Sequence, residues 1–70
     1  MSTTSPRIAR EAIIDLKPYD VYRRFANRDW HTVAKIECRH EAHGRISVRV
    51  YDVEGGDWCA GSEFVVEVAS

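Results

Sequence analysis

From residue 30 onward, apolar and polar side chains alternate with a period of two, and this pattern constrains the fold more than any other feature. In the clearest segment, 45–53, one side carries Ile46, Val48 and Val50. The last segment, 63–68, likewise carries Phe64, Val66 and Val68. A period of two is typical of a strand with one buried face. The second half of the chain is therefore predicted to be an antiparallel sheet that is wet on one side.

Two further stretches fit the same sheet. In 30–39, one predicted strand face holds Trp30, Thr32, Ala34, Ile36 and Cys38, and the other holds His31, Val33, Lys35, Glu37 and Arg39. Glycine-containing segments at 40–44 and 54–57 predict turns between strands. Residues 58–60 fit either a short strand or a loop.

The N-terminal segment 6–16 is predicted to be a helix. Pro6 suits the first helical position, and the apolar residues recur at four-residue spacing in Ile8, Ala12 and Leu16. Pro18 ends the helix, because the residue before a proline avoids the helical region. A strand over 12–14 competes with this helix, and 19–29 fits either a helix or a strand. Residues 1–5 are small and polar, which predicts a disordered N-terminus.

These elements predict a single α+β domain over 6–70, in which the helix packs on the apolar face of a sheet of three to five strands. A domain this short buries only about 60% of its unfolded surface, so its core is small. A catalytic cleft would take volume from that core. The sequence holds no phosphate-binding Gly-rich loop, no G-x-S-x-G and no H-E-x-x-H. We therefore expect a protein that is not an enzyme and that uses no cofactor.

Two stretches give an alternative fold. The segment 30–36 is similar to the Trp-x-x-Ala-x-Ile strand of Tudor and SH3-like small barrels, with one extra residue before the alanine. The segment 48–55 resembles the alternating strand that leads into Asp-Tyr-Gly in that family. The resemblance implies a small β-barrel with a helical N-terminal extension. His31 and Val53 occupy the places of the family's cage aromatics, so a methyl-lysine or methyl-arginine cage would be incomplete and that function is not carried over.

The candidate metal ligands are two cysteines and two histidines: Cys38, His40, His43 and Cys59. Cys-x-His-x-x-His is not an established zinc spacing, and no Cys-x-x-Cys pair accompanies it. The expected arrangement is a buried thiol at Cys38 and two solvated histidines, without a metal. No apolar run approaches the roughly 18 residues of a membrane span, and no signal peptide is recognised near Met1. We expect a cytosolic protein with free thiols and no membrane partner.

The charge is unevenly distributed along the chain. Residues 1–35 carry seven Lys or Arg and four Asp or Glu, whereas 36–70 carry three and seven. Arginines flank Phe25 among aromatic residues, which suits single-stranded nucleic acid. Acidic residues on the same predicted surface oppose this, and the net charge is -1. Nucleic-acid binding is therefore the alternative function.

A protein partner is the favoured function, because Tyr, Trp and Arg are the common anchors of interfaces and a small core cannot bury them all. The predicted partner-binding residues are Tyr19, Tyr22, Arg23, Arg24, Arg28, Tyr51 and Trp58. Val65 is predicted to lie on the wet face. The partner is a larger protein, or a second copy paired through a sheet edge. By analogy alone, the expected role is an accessory or inhibitor protein of phage or mobile elements that sterically occupies a partner's surface.

Overall fold

The computed structural model describes residues 7–69 and is built from antiparallel β-strands. The six strands are β1 (Ile8–Ala12), β2 (Val21–Arg23), β3 (His31–His40), β4 (Ile46–Asp52), β5 (Asp57–Gly61) and β6 (Val65–Ala69). They form a sheet in the order β1-β6-β2-β3-β4-β5, so β1 and β5 are its edges. A 3₁₀ turn at Ile13–Asp15 lies between β1 and β2, and another at Ala42–Gly44 lies between β3 and β4. Nowhere in 7–69 is there a helix of the length and apolar character needed to cross a membrane.

The predicted N-terminal helix is wrong. Each residue of β1 is paired with β6, from Ile8 opposite Ala69 to Ala12 opposite Val65. An isolated helix of about 11 residues has little stability in water, whereas residues 8–12 gain backbone hydrogen bonds by pairing with β6. The α+β fold and the barrel with a helical extension both required this helix, so both are corrected to an all-β sheet. Residues 1–5, predicted to be disordered, and Pro6 lie outside the described residues.

Of the apolar residues whose spacing suggested a helix, Ile8 and Ala12 lie in β1, and Leu16 follows the 3₁₀ turn after it. Ile13 and Leu16 are almost completely buried, and residues three apart lie on the same side of such a turn. The Ile13 amide donates to the Phe64 carbonyl at 2.9 Å, and the Leu16 amide donates to the Ile13 carbonyl at 3.2 Å. The turn therefore inserts two aliphatic side chains into the core.

The predicted faces of β3 are partly wrong because the strand contains a bulge. Val33 lies opposite Asp52, but Lys35 lies opposite Tyr51, so β3 has one residue more than β4 at this point. An extra residue moves the following side chains to the other face. Val33, predicted to be wet, is fully buried, while Ala34 is exposed.

The core lies on the inner face of the sheet, and the alternation in β4 and β6 is confirmed there. The fully or nearly fully buried residues are Ile13, Leu16, Tyr22, Val33, Val48, Val50, Val66 and Val68. Four half-buried residues pack against them: Ile36, Trp58, Ala60 and Phe64. Residues 58–60 belong to a strand, β5. Trp58 thus lies at the margin of the core.

The turn between β4 and β5 depends on a glycine. Gly55 has φ +104°, a conformation that side chains rarely adopt, whereas Gly56 has an ordinary φ, and both have open space around an added Cβ. We expect Gly55→Ala to lower the free energy of unfolding by about 1–3 kcal/mol through backbone strain. Gly56→Ala should change it by less than about 1 kcal/mol. Urea unfolding of the two variants checks this, and equal losses would contradict it.

Candidate functional site

Aromatic and arginine side chains lie where the chain leaves β2 and enters β6, in two separate contact groups. This aromatic–arginine surface consists of Arg23, Arg24, Phe25, Trp30, Trp58 and Phe64. The Arg23 guanidinium lies 4.4 Å from the centre of the Trp30 ring, and that of Arg24 lies 5.2 Å from Trp58. Phe64 contacts both Phe25 and Trp58 edge to face. Such cation–π and edge-to-face contacts hold the side chains in defined positions.

The segment that follows β2 presents this surface to solvent. Residues 24–30 are all exposed, and the Arg28 amide closes a turn by donating to the Phe25 carbonyl at 3.0 Å. The Phe25 side chain is 52% exposed even though it touches Phe64. A half-exposed aromatic ring fixed beside others is the kind of residue that anchors an interface.

A shallow groove of about 320 Å³ adjoins this surface, and its charge is mostly positive. Its lining includes Arg10, Arg24, Phe25, Ala26, Phe64 and Val65. Arg23 is paired with Glu67 at 2.7 Å. Arg10, Arg24 and Arg28, by contrast, have no carboxylate within ion-pair distance among residues 7–69. The groove therefore offers apolar contact together with unneutralised positive charge.

Tyr22, one of the predicted partner-binding residues, lies in the core. Its hydroxyl donates to Asp52 Oδ1 at 2.6 Å and accepts from Trp58 Nε1 at 2.5 Å. Its ring stacks on Trp58 and lies 6.0 Å from that of His31. Burial, and then the hydrogen bond to Asp52, raise the pKa of Tyr22 well above its ordinary value. Tyr22 is thus a neutral donor within the protein and is removed from the candidate surface.

The other two predicted tyrosines lie away from the aromatic–arginine surface. Tyr19 is in the turn before β2, where it has φ 73° and is 80% exposed. Tyr51 is on the outer face of β4, where Lys35 lies 4.8 Å from its ring centre. Hydrogen bonding to Glu37 raises the pKa of Tyr51 above its ordinary value. Of the seven predicted residues, the structure brings Arg24 into contact with Trp58, while Arg23 contacts Trp30 and Arg28 lies in the exposed segment.

The four candidate metal ligands do not form a site. Cys38 lies opposite Val48, whose side chain is buried on the inner face, whereas Cys59 lies opposite the exposed Arg49. The two thiols therefore point to opposite faces of the sheet. Cys38, predicted to be buried, is exposed, and both cysteines are free. His40 and His43 are exposed, as predicted.

A different set of ligand-type side chains does converge. Among residues 7–69, only His31, Asp52 and Glu54 bring three metal-ligating groups within 4.8 Å of one another. Sequence reasoning missed this group because its members are separated by 21 and 2 residues. It also omitted Phe25, Trp30 and Phe64 from the partner-binding residues. The only signal for Phe25 was its position directly after Arg23 and Arg24.

Comparison of the chain with protein-family models, with curated proteins and with solved structures found no match. The resemblance to Tudor and SH3-like barrels therefore gains no support from a related protein. Only the residues and their arrangement therefore bear on the function.

Proposed function

We propose that this protein is a small non-enzymatic binding module whose aromatic–arginine surface receives an acidic, partly apolar segment of a larger protein. One observation carries the proposal: the half-exposed Phe25 and Val65 lie beside arginines that lack carboxylate partners within the described part of the chain. Apolar contact would supply affinity, and the arginines would pair with carboxylates of the partner. The module would act sterically, as an accessory or inhibitor protein in the cytosol.

The arrangement of the surface suits this role. Phe25 is buttressed by Phe64, and Arg24 is held over Trp58, so little side-chain freedom is lost on binding. The positive charge of this region would accelerate encounter with an acidic partner. Because these contacts already exist in the unbound protein, the module can present its anchors without a conformational change.

Single-stranded nucleic acid is the second candidate, and the pairing of Arg23 and Arg24 with tryptophan rings supports it. Bases stack on exposed aromatic and guanidinium planes of this kind. Glu67 neutralises Arg23, however, so only one of the two arginines that lie over tryptophan rings has a free charge for a phosphate. Single-stranded nucleic acid is therefore the second candidate, and an experiment must distinguish it from a protein partner.

The proposed binding surface predicts that substitutions of two almost equally exposed valines affect capture of the partner differently. Val65, at 52% exposed, borders the groove, and Val53, at 54% exposed, lies in the β4–β5 turn. In pull-downs from lysate of the source cell, we expect one stoichiometric protein with wild type and with Val53→Ser. Val65→Ser should weaken its capture, and Phe25→Ser should weaken it by about 30-fold or more, the effect of losing a hot-spot residue.

Nuclease treatment of half of each sample separates the two candidates. A partner that survives nuclease and depends on Phe25 supports the protein-binding module. Loss of all partners on nuclease treatment would instead favour the nucleic-acid alternative. Equal capture by the Val53→Ser and Val65→Ser variants, together with full capture by Phe25→Ser, would place the binding surface elsewhere.

Pairing of two copies through a sheet edge remains a prediction. The edges available are β1 and β5. A melting temperature that rises with protein concentration would support a homodimer, because association stabilises the folded state by mass action.

A further inference from the structure

The pairing of β3 with β4 brings His31, Asp52 and Glu54 to one end of the sheet. Val33 lies opposite Asp52, so the start of β3 is adjacent to the end of β4. The β4–β5 turn then folds back, because the Val53 amide donates to the Thr32 carbonyl at 2.9 Å. His31 Nδ1 consequently lies 3.7 Å from Asp52 Oδ2 and 3.6 Å from Glu54 Oε2.

The Asp52 side chain is largely buried, and its carboxylate oxygen without a hydrogen-bond partner in the described part of the chain, Oδ2, still reaches solvent. Its side chain is only 9% exposed. Oδ1 accepts from the Tyr22 hydroxyl, whereas Oδ2 accepts no hydrogen bond from any residue in 7–69. Within that range, neither lysine nor arginine comes within 4.0 Å of Asp52. Buried charges are normally paired or bound to a metal ion, so the free oxygen is a place where a cation would be stabilising.

The two separations from His31 are close to those around a small divalent ion, and all three ligand atoms lie within 4.8 Å of one another. Zinc binds histidine nitrogen and carboxylate oxygen at about 2.0–2.2 Å, which places neighbouring ligands of a tetrahedron about 3.4 Å apart. The separations of 3.6 and 3.7 Å from His31 Nδ1 exceed this by a few tenths of an ångström. His31 and Glu54 are both partly exposed, so their side chains can close this difference and water can fill the remaining position.

Neighbouring residues hold the central ligand in place. Trp58 donates to the Tyr22 hydroxyl, which in turn donates to Asp52 Oδ1. Hydrogen bonds of this kind orient a carboxylate so that its other oxygen faces the metal. A nitrogen ligand together with two carboxylates favours zinc and similar transition ions over Mg²⁺ and Ca²⁺, which prefer oxygen ligands.

We propose that His31, Asp52 and Glu54 form a binding site for a divalent transition-metal ion of the zinc type, open to solvent on the side of Glu54. The site is independent of the proposed protein-binding function. It shares with the aromatic–arginine surface only Trp58, which lies two hydrogen bonds from Asp52. Binding of the ion should therefore also change the fluorescence of Trp58.

The test is a calorimetric titration of ZnCl₂ into the full chain without a histidine tag, in the presence of a reductant that does not bind metal. We expect saturable binding of one ion and a higher melting temperature. His31→Ala and Glu54→Gln should abolish saturable binding, and Tyr22→Phe should weaken it by about 10–100-fold. Because Glu54 is exposed, its variant keeps the test valid even if substitution of the buried residues impairs folding.

Matched control variants distinguish this site from other metal-ligating side chains on the surface. His40→Ala and Glu41→Gln remove exposed groups of the same types outside the cluster and should leave zinc binding unchanged. MgCl₂ titrated under the same conditions should bind far more weakly. The proposal is overturned if wild type shows no saturable binding, if the His31→Ala and Glu54→Gln variants bind like wild type, or if Cys38→Ser or His40→Ala abolishes binding.

Discussion

Ile13→Ala is expected to lower the free energy of unfolding by about 2–5 kcal/mol, the usual cost of truncating a fully buried isoleucine. Ile13 has no exposed surface and, through its backbone, ties the 3₁₀ turn to the start of β6. A domain of 70 residues has a total stability of about 4–10 kcal/mol. The substitution should therefore remove about half of the stability of the protein. Urea unfolding followed by circular dichroism measures the loss.

Ile14 provides the control for this prediction. It is the next residue in the same turn, carries the same side chain and is 38% exposed. Ile14→Ala should cost clearly less than Ile13→Ala, because part of its side chain is already in contact with water. Equal losses at Ile13 and Ile14 would contradict the 3₁₀ turn described above.

Tyr22→Phe is expected to lower the free energy of unfolding by about 1.5–3 kcal/mol, the range for a hydrogen bond to a charged group. The variant keeps the ring but leaves the buried Asp52 carboxylate without its donor. Tyr19→Phe is the matched control, since Tyr19 is almost wholly exposed and its loss should change stability by less than about 0.5 kcal/mol. Urea unfolding of the two variants compares them, and a Tyr22→Phe variant as stable as wild type would show that Asp52 does not need this donor.

The same hydroxyl gives the stability a dependence on pH. Burial and the hydrogen bond to Asp52 raise the pKa of Tyr22 in the folded protein above its ordinary value of 10.0. The folded state therefore keeps a proton that the unfolded chain loses above pH 10. The contribution of the protonated Tyr22 hydroxyl to the free energy of unfolding is consequently complete below pH 10 and decreases at higher pH. The decrease is at most about 1.4 kcal/mol per pH unit. The decrease from pH 8 to 11 should be steeper in wild type than in Tyr22→Phe, which keeps the smaller contribution of Tyr51.

The strands that could be predicted are those whose pattern is set by their own residues. β4 and β6 alternate strictly, and their buried valines were identified correctly. The N-terminal segment could not be predicted in this way, because its structure is decided by β6, more than 50 residues away. The faces of β3 were partly misassigned, because the bulge between Val33 and Lys35 has no signature in the alternation.

The candidate site was predictable to a similar degree. A mixture of arginines and aromatics pointed to the segment after β2, where Arg24 does contact Trp58, whereas Arg23 contacts Trp30. Composition could not separate Tyr22 from Tyr19, since only the tertiary fold decides which ring is buried. The convergence of His31 with Asp52 and Glu54 likewise depends on strand register, which single residues do not reveal.

The position of β6 between β1 and β2 also affects how the protein can be made. β1 is among the first described segments to be synthesised, and its partner, Val65–Ala69, is among the last. Until β6 has left the ribosome, β1 and β2 lack their common neighbour, and only the β2–β3–β4–β5 meander can pair. The sheet is therefore completed after translation of residue 69, and the nascent chain exposes unpaired strand edges to chaperones and to other copies until then.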